Sequence, residues 1–209
     1  MPATASNALS FFGSVAFGET VTGTLLSSDF KLTNATVSDI SGPNATGNYS
    51  FTLTPVADGK VSVEIIASGI TDTAGNSFTP SNPITFKADY TPPAAVISLN
   101  VVAGSVTNAN KLNGKVTFGE PVKGNLSVND FTVVNATVSN ISGPDANGIY
   151  TFNLNPTANG LVAVSLNAPS ITDLAGNSAT PASPFDFTFD NSSATPTIFL
   201  NPVPNNASN

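Results

Sequence analysis

The sequence predicts an all-β chain built as two tandem antiparallel β-sandwiches. Three observations carry this: a long internal repeat, period-two alternation of apolar residues, and turn residues spaced between the alternating runs. The repeat comes first. The segment VTGTLLSSDFKLTNATVSDISGPNATGNYSFTLTPVADGKVSV returns as VKGNLSVNDFTVVNATVSNISGPDANGIYTFNLNPTANGLVAV. Phe17 maps to Phe118, an offset of 118 − 17 = 101 residues, and no gap is needed from Phe17 to Tyr90. Such a period is too long for a solenoid unit and suits one whole domain per repeat.

Each repeat reads as strand throughout. In the second copy Val116 and Phe118 alternate with polar residues, as do Tyr150, Phe152 and Leu154, then Val162, Val164 and Leu166, then Phe185, Phe187 and Phe189. Alternation of this kind turns one face to a core and the other to water. Gly143-Pro144, Asn147-Gly148, Asn159-Gly160 and Ala175-Gly176-Asn177 break the runs. Seven strands fit, lettered A 95–102, B 113–119, C 130–135, D 137–142, E 149–155, F 161–168 and G 184–190, with no helix longer than about two turns. The junction Asp89-Tyr90-Thr91-Pro92-Pro93 holds two prolines, which stiffen the backbone and remove two amide donors. A short stiff connector, not a hinge, is expected. The boundaries expected are 1–91 for the first repeat, 92–191 for the second, and 192–209 for a linker and the first strand of a further repeat.

Composition narrows the chemistry. Charged residues are 9 % of the chain and the net charge is -7; every basic residue is lysine, and histidine, cysteine and tryptophan do not occur. Phosphate binding needs a basic footprint, so no nucleic-acid partner is expected. Anionic membranes would repel the chain, and no apolar run is long enough to insert into one. No signal peptide is visible, so an export signal is expected outside this segment. Nucleophile systems that need histidine or cysteine are excluded. The only glutamates are Glu19, Glu64 and Glu120, and two of them are repeat copies of each other, which leaves little for a paired-carboxylate hydrolase. The chain is not expected to be an enzyme.

Several pieces then come together in a fixed order. They are Phe118-Gly119-Glu120-x-Val122-x-Gly124, Asp130-Phe131, Tyr150-x-Phe152-x-Leu154-x-Pro156, and Asp173-x-Ala175-Gly176-Asn177, followed by a closing strand and a proline-containing linker. The same pieces recur in the first repeat. This order resembles the bacterial Ig-like repeats of large cell-surface adhesins, over nearly the whole chain. The resemblance departs at Gly18 and Gly119, where serine is common in the family. It implies two tandem immunoglobulin-like antiparallel β-sandwiches in an exported, repetitive stalk or adhesive region, often stiffened by calcium.

The candidate residues follow from these two lines. The Asp-x-Ala-Gly-Asn element at Asp72–Asn76 and Asp173–Asn177 reads as a turn, with aspartate accepting backbone amides and glycine supplying a positive φ. It also reads as a source of hard oxygen ligands. End-to-end stacking sets Asp89, at the exit of the first repeat, beside Glu120 and Asp173 in the second, where Ca²⁺ would relieve their repulsion with Asn177 completing the shell. Glu19 and Asp72 form the equivalent cap of the first repeat, and Asp190 serves the next junction. Phe17, Tyr49, Phe51 and Phe86 fall on alternating strand positions and are expected in the core, not on a stacking platform. Phe11, Phe12, Phe78 and Phe199 break the repeat pairing. The Asn-x-Ser/Thr triplets at Asn34, Asn48, Asn135 and Asn140 arise easily in so Thr/Asn-rich a chain and carry no assignment.

The function expected is a structural spacer or adhesion repeat at the bacterial surface or outside the cell, its partners being neighbouring repeats. The alternatives are a module that holds glycan or protein in its BC, DE and FG loops, or an accessory module of a secreted hydrolase. Residues 195–201 (TPTIFLN) align with 94–100 (AAVISLN) at the same offset. They read as strand A of a further repeat, while Met1 aligns with Val102. Either a segment of a longer array or donation of that strand to another copy would account for this.

Overall fold

The computed structural model describes residues 5–66 and 69–199. Module 1 holds β1 (Ala5–Ser6), β2 (Phe11–Ala16), β3 (Val21–Thr22), β4 (Phe30–Thr33), β5 (Ala35–Ser41), β6 (Asn48–Pro55), β7 (Gly59–Ile65), β8 (Thr71–Asp72) and β9 (Ile84–Ala88). Module 2 holds β10 (Val96–Leu99), β11 (Val106–Thr107), β12 (Leu112–Thr117), β13 (Val122–Lys123), β14 (Phe131–Val134), β15 (Ala136–Ser142), β16 (Ile149–Pro156), β17 (Gly160–Leu166), β18 (Thr172–Asp173) and β19 (Ala182–Phe189). Single 3-10 turns at Ser27–Asp29 and Val128–Asp130 are the helical elements among the described residues.

In module 2 one sheet runs β10-β12-β16-β15 and the facing sheet β11-β19-β17-β14. In strand letters these are A-B-E-D and A′-G-F-C, the order of an immunoglobulin-like sandwich. The alternation seen in sequence decides which side chains meet between the sheets. Val116, Tyr150, Phe152, Leu154, Val162, Val164, Leu166 and Phe187 are all buried there. Module 1 repeats the arrangement with Tyr49, Phe51, Leu53, Val61, Val63 and Ile65. Among the described residues its sheets run β2-β6-β5 and β1-β9-β7-β4, so the first has three strands where module 2 has four. Among the described residues the strands pair antiparallel except at β1–β9 and β11–β19, which are parallel, as is an isolated bridge between Ala94 and Thr180. After strand A the chain crosses to the opposite sheet, and A′ then runs in the direction of G.

The recurring sequence pieces have local causes. Asp130 accepts the Ser127 amide at 2.7 Å and so caps the 3-10 turn that delivers Phe131 to the core. Asp29 does the same for Leu26 at 2.7 Å. The Tyr150 hydroxyl donates to the Gly124 carbonyl at 2.8 Å, and Tyr49 to Gly23 at 2.9 Å. Burial pushes both hydroxyls up in pKa. Phe118 meets the Tyr150 ring edge-on at 5.9 Å, and Phe17 meets Tyr49 at the same distance. At Gly148 a Cβ would lie 2.1 Å from the Glu120 carbonyl oxygen, so only glycine lets the DE turn seat against the loop that carries Glu120.

The N-glycosylation-like triplets have a structural reading. Asn34 and Asn135 sit at φ 53 and 54, and Asn140 at 51, in the left-handed region asparagine tolerates. Asn34 also clamps the EF turn, donating to the Ala57 carbonyl at 2.7 Å and accepting its amide at 3.1 Å. Of the aromatics that break the repeat, Phe11 packs on Phe86 and Phe78 on Phe17, whereas Phe12 and Phe199 are exposed.

Candidate functional site

The Asp-x-Ala-Gly-Asn element is a turn in both modules. Asp173 Oδ1 accepts the amides of Gly176 (2.7 Å) and Asn177 (2.9 Å), and its Oδ2 accepts the Asn177 side-chain amide at 2.8 Å. Gly176 supplies the positive φ, +103. Asp72 makes the matching set with Ala74, Asn76 and the Asn76 side chain at 2.8, 2.8 and 2.7 Å. The two copies differ in setting: Asp173 is 1 % exposed, while Asp72 is only half-buried. Burial works to raise the Asp173 carboxyl, and the bonds from Asn177, Gly176 and Ala175 outweigh it, so it lies below the usual 3.8. Asp72 is lowered first by the Asn76 side chain and then by backbone amides.

The β13–β18 ladder ties the two loops of module 2 together, pairing Val122 with Asp173 and Lys123 with Thr172. This sets Glu120 beside the FG turn. The exit of module 1 meets them there. Ala5, Lys87 and Asp89 from module 1 share a hollow of about 550 Å³ with Glu120, Pro121, Lys123, Leu174 and Ala175 from module 2. The Glu120 carboxyl is raised above 4.5, by burial first and then by the negative charges of Asp173 and Asp89. Glu120 thus feels two carboxylates from distant parts of the chain at the junction. Asn177 spans it, donating its side-chain amide to the Asp89 carbonyl at 2.8 Å as well as to Asp173.

Sequence reasoning missed two residues here. Lys87 donates to Asp89 Oδ2 at 2.7 Å and is raised by that bond and charge, with further attraction from Glu120 and Asp58. Asp58 accepts the Tyr90 amide at 2.6 Å and the Thr91 hydroxyl, fixing the start of the linker to module 1. Neither carries a repeat signal, because the counterparts are Thr188 and Asn159. The linker is bound on its other side too: besides the Asn177 bond, Thr180 donates its amide to the Pro93 carbonyl at 3.0 Å.

The remaining expected residues lie apart from this junction. Glu19 and Asp72 border one small hollow at the outer pole of module 1 with Phe17, Asn76 and Phe78. Asp190 accepts the Ser192 amide at 2.8 Å and approaches Asn159. The junction offers oxygens of the kind a hard cation takes. Among the described residues, however, no three acidic side chains form a group close enough to hold a metal ion. Asp89 and Asp173 already accept bonds from Lys87 and the FG turn. The positive charge the carboxylates require is supplied here by Lys87, and a cation would have to compete with it.

A bacterial Ig-like domain is matched twice in the sequence, over residues 10–87 and 89–189. No curated protein matches the chain. Among solved structures, InvD of Yersinia pseudotuberculosis is 18 % identical with a TM-score of 0.38, over 93 % of this chain and 58 % of that one. The Escherichia coli adhesin FdeC is 13 % identical with a TM-score of 0.41, over 88 % and 64 %. The D00-D0 domain of intimin is 14 % identical with a TM-score of 0.37, over 88 % and 94 %. The chain thus spans little more than half of InvD and about two thirds of FdeC.

Proposed function

The chain belongs to the bacterial Ig-like domain family in both its halves, and we propose that it is a spacer or adhesion-type repeat of an extracellular bacterial surface protein, with modules held end to end as a stalk. The role is mechanical: stacked sandwiches hold a distal element away from the cell. One observation carries the reading. The linker is bonded on both flanks, to module 1 through Asp58 and to module 2 through Asn177 and Thr180. A connector tied in this way, with Pro92 and Pro93 in its course, favours a fixed angle between neighbours. Domains joined by a free linker move relative to each other by default.

Calcium at the junction belongs to the same proposal. Glu120 and the Asp89 carboxylate would supply charge, and carbonyl groups would supply further oxygens. What supports it is the mutual repulsion expressed at Glu120.

Small-angle scattering tests the stalk. The intact chain should give one narrow distribution of end-to-end dimension, which the paired change Asp58→Ala and Asn177→Ala should broaden while circular dichroism stays the same. A broad distribution in the unaltered chain would sink the reading. A glycan array supplies the contrary outcome, since selective binding of one sugar would make the loops a recognition surface.

A further inference from the structure

We propose that the outer face of the A-B-E-D sheet in module 2 is a weak binding site for an acidic saccharide, one whose sugar carries a carboxylate. This goes beyond the stalk reading and does not depend on it. Binding on a flank leaves both poles of the module free to stack.

The face is built by strand register. β10, β12, β16 and β15 lie side by side, and their outward side chains fall into rows. Asn113 stands opposite Asn153, and Asn153 opposite Ser139. One row on, Ser98 stands opposite Lys115, Lys115 opposite Thr151, and Thr151 opposite Ser142. Between Ser139 and Ser142 the register shifts, so Asn140 and Ile141 face the single residue Phe152, and Asn140 takes a φ of 51. A bulge of this kind bends the strand and re-aims its side chains. A hollow of about 500 Å³ results, with Asn100, Asn113, Asn140, Asn153, Lys115 and Thr151 in its lining.

The lining has the chemistry of a sugar site. An asparagine side chain offers an acceptor oxygen and an NH₂ donor side by side, which suits neighbouring hydroxyls on one ring. Asn155, further along β16, spends its amide on the Ser139 hydroxyl at 3.0 Å. Among the described residues the side chains of Asn113, Asn140 and Asn153 form no such bond and stay available. Lys115 is free as well: among the described residues the two salt bridges use Lys31 and Lys87. No acidic residue lines the hollow. One ammonium among amides and hydroxyls, on a chain of net charge -7, suits a single carboxylate and not a polyphosphate. The apolar lining residues Leu99 and Phe152 pack into the core, so the hollow gives a peptide no anchor.

Module 1 supplies the contrast. At the offset of 101 the inward residues Gly114, Val116, Tyr150, Phe152 and Leu154 recur as Gly13, Val15, Tyr49, Phe51 and Leu53. The outward set differs at every place: Asn113, Lys115, Asn140, Thr151 and Asn153 stand where module 1 has Phe12, Ser14, Asp39, Ser50 and Thr52. Two of these differences raise the charge, one by removing an aspartate and one by adding a lysine. The cores are shared, and the face toward an anion belongs to module 2.

The test uses the whole chain, isotope-labelled, in excess chelator so that no cation bridges the ligand. A galacturonic acid tetrasaccharide is titrated in and followed by NMR, with cellotetraose and acetate as parallel probes. The amides of Gly114, Thr151 and Asn153 should shift with a Kd of about a millimolar, as suits a site without a stacking ring. The module 1 counterparts Gly13, Ser50 and Thr52 should stay in place. Cellotetraose should bind about fivefold more weakly, which is the upper range for one exposed ion pair. Lys115→Ser, which installs the module 1 residue, should weaken the tetrasaccharide by the same factor, and Lys115→Arg should keep it. An unchanged melt shows that the variants fold. No shifts at tens of millimolar ligand, equal shifts in module 1, shifts confined to the BC, DE and FG loops, an equal response to acetate, or full binding by Lys115→Ser would each overturn the proposal.

Discussion

Replacing Asp173 by alanine removes an acceptor that three donors share. The Gly176 amide, the Asn177 amide and the Asn177 side chain lie 2.7–2.9 Å from its oxygens in a site 1 % exposed. Bonds to a charged acceptor contribute about 1.5–3 kcal/mol each, but they are not additive. Asn177 also keeps its bond to the Asp89 carbonyl, and opening the turn lets water reach the freed amides. A net loss of about 3 kcal/mol is the reasonable sum. For a module of this size that is a fall in melting temperature of about 10–20 °C. Calorimetry on the intact chain reads it as a downward shift of one module's transition. Asp72→Ala, at the half-buried copy of the same turn, supplies the comparison and should shift the other module clearly less. Equal shifts, or a loss at Asp173 below about 1 kcal/mol, would refute the argument that burial makes this turn costly to break.

Further outcomes rest on other parts of the structure. Glu120 is raised, so its charged form is disfavoured in the fold, and that penalty disappears as the pH falls through the folded value. Asp58, Asp72, Asp173 and Asp190 are lowered, so their contribution is present above the ordinary 3.8 and is lost below it as the folded values are passed. The melting temperature should therefore peak at mildly acid pH, and Glu120→Gln should raise it at neutrality and flatten the acid-side rise; a monotonic profile would contradict this. Tyr150→Phe strands the Gly124 carbonyl and should cost module 2 about 1–2 kcal/mol, with Tyr49→Phe doing the same in module 1, both read by urea midpoints. Millimolar Ca²⁺ should raise the melting temperature, more so in Lys87→Ala, where the competing ammonium is gone, and not in Glu120→Ala. Identical melts with calcium and chelator would remove the cation from the proposal.

How far the sequence carried is visible strand by strand. Expected B at 113–119 is β12 at Leu112–Thr117, and expected F at 161–168 is β17 at Gly160–Leu166. Alternation and turn residues suffice for such long, half-buried strands. The two-residue strands β11, β13 and β18 were not legible, since two residues have no periodicity. The parallel β11–β19 pair escaped with them, because its direction depends on where the chain crosses between sheets. Topology was enough to bring Asp89, Glu120 and Asp173 to one pole. It did not reveal Lys87 or Asp58, whose roles come from three-dimensional proximity and which differ between the repeats. That the amide of Asn177 reaches back to Asp89 depends on side-chain geometry no pattern encodes.

The parallel pairing of β1 with β9 and of β11 with β19 has a consequence for a chain under tension. In module 2 the Gly104 amide bonds to Asp186 at 2.9 Å, Thr188 to Ser105 at 2.8 Å, and Asp190 to Thr107 at 2.9 Å. β11 and β19 run the same way, so a pull on the two ends of the module drags them along their lengths in opposite directions. Bonds between strands lie across such a pull, and all three are strained at once instead of parting one after another. Module 1 is joined likewise between β1 and β9, where the Asp89 amide bonds to Ser6 at 3.0 Å. Each module therefore resists being drawn out by shear at its parallel strand pair, and rupture there must precede the unravelling of either core.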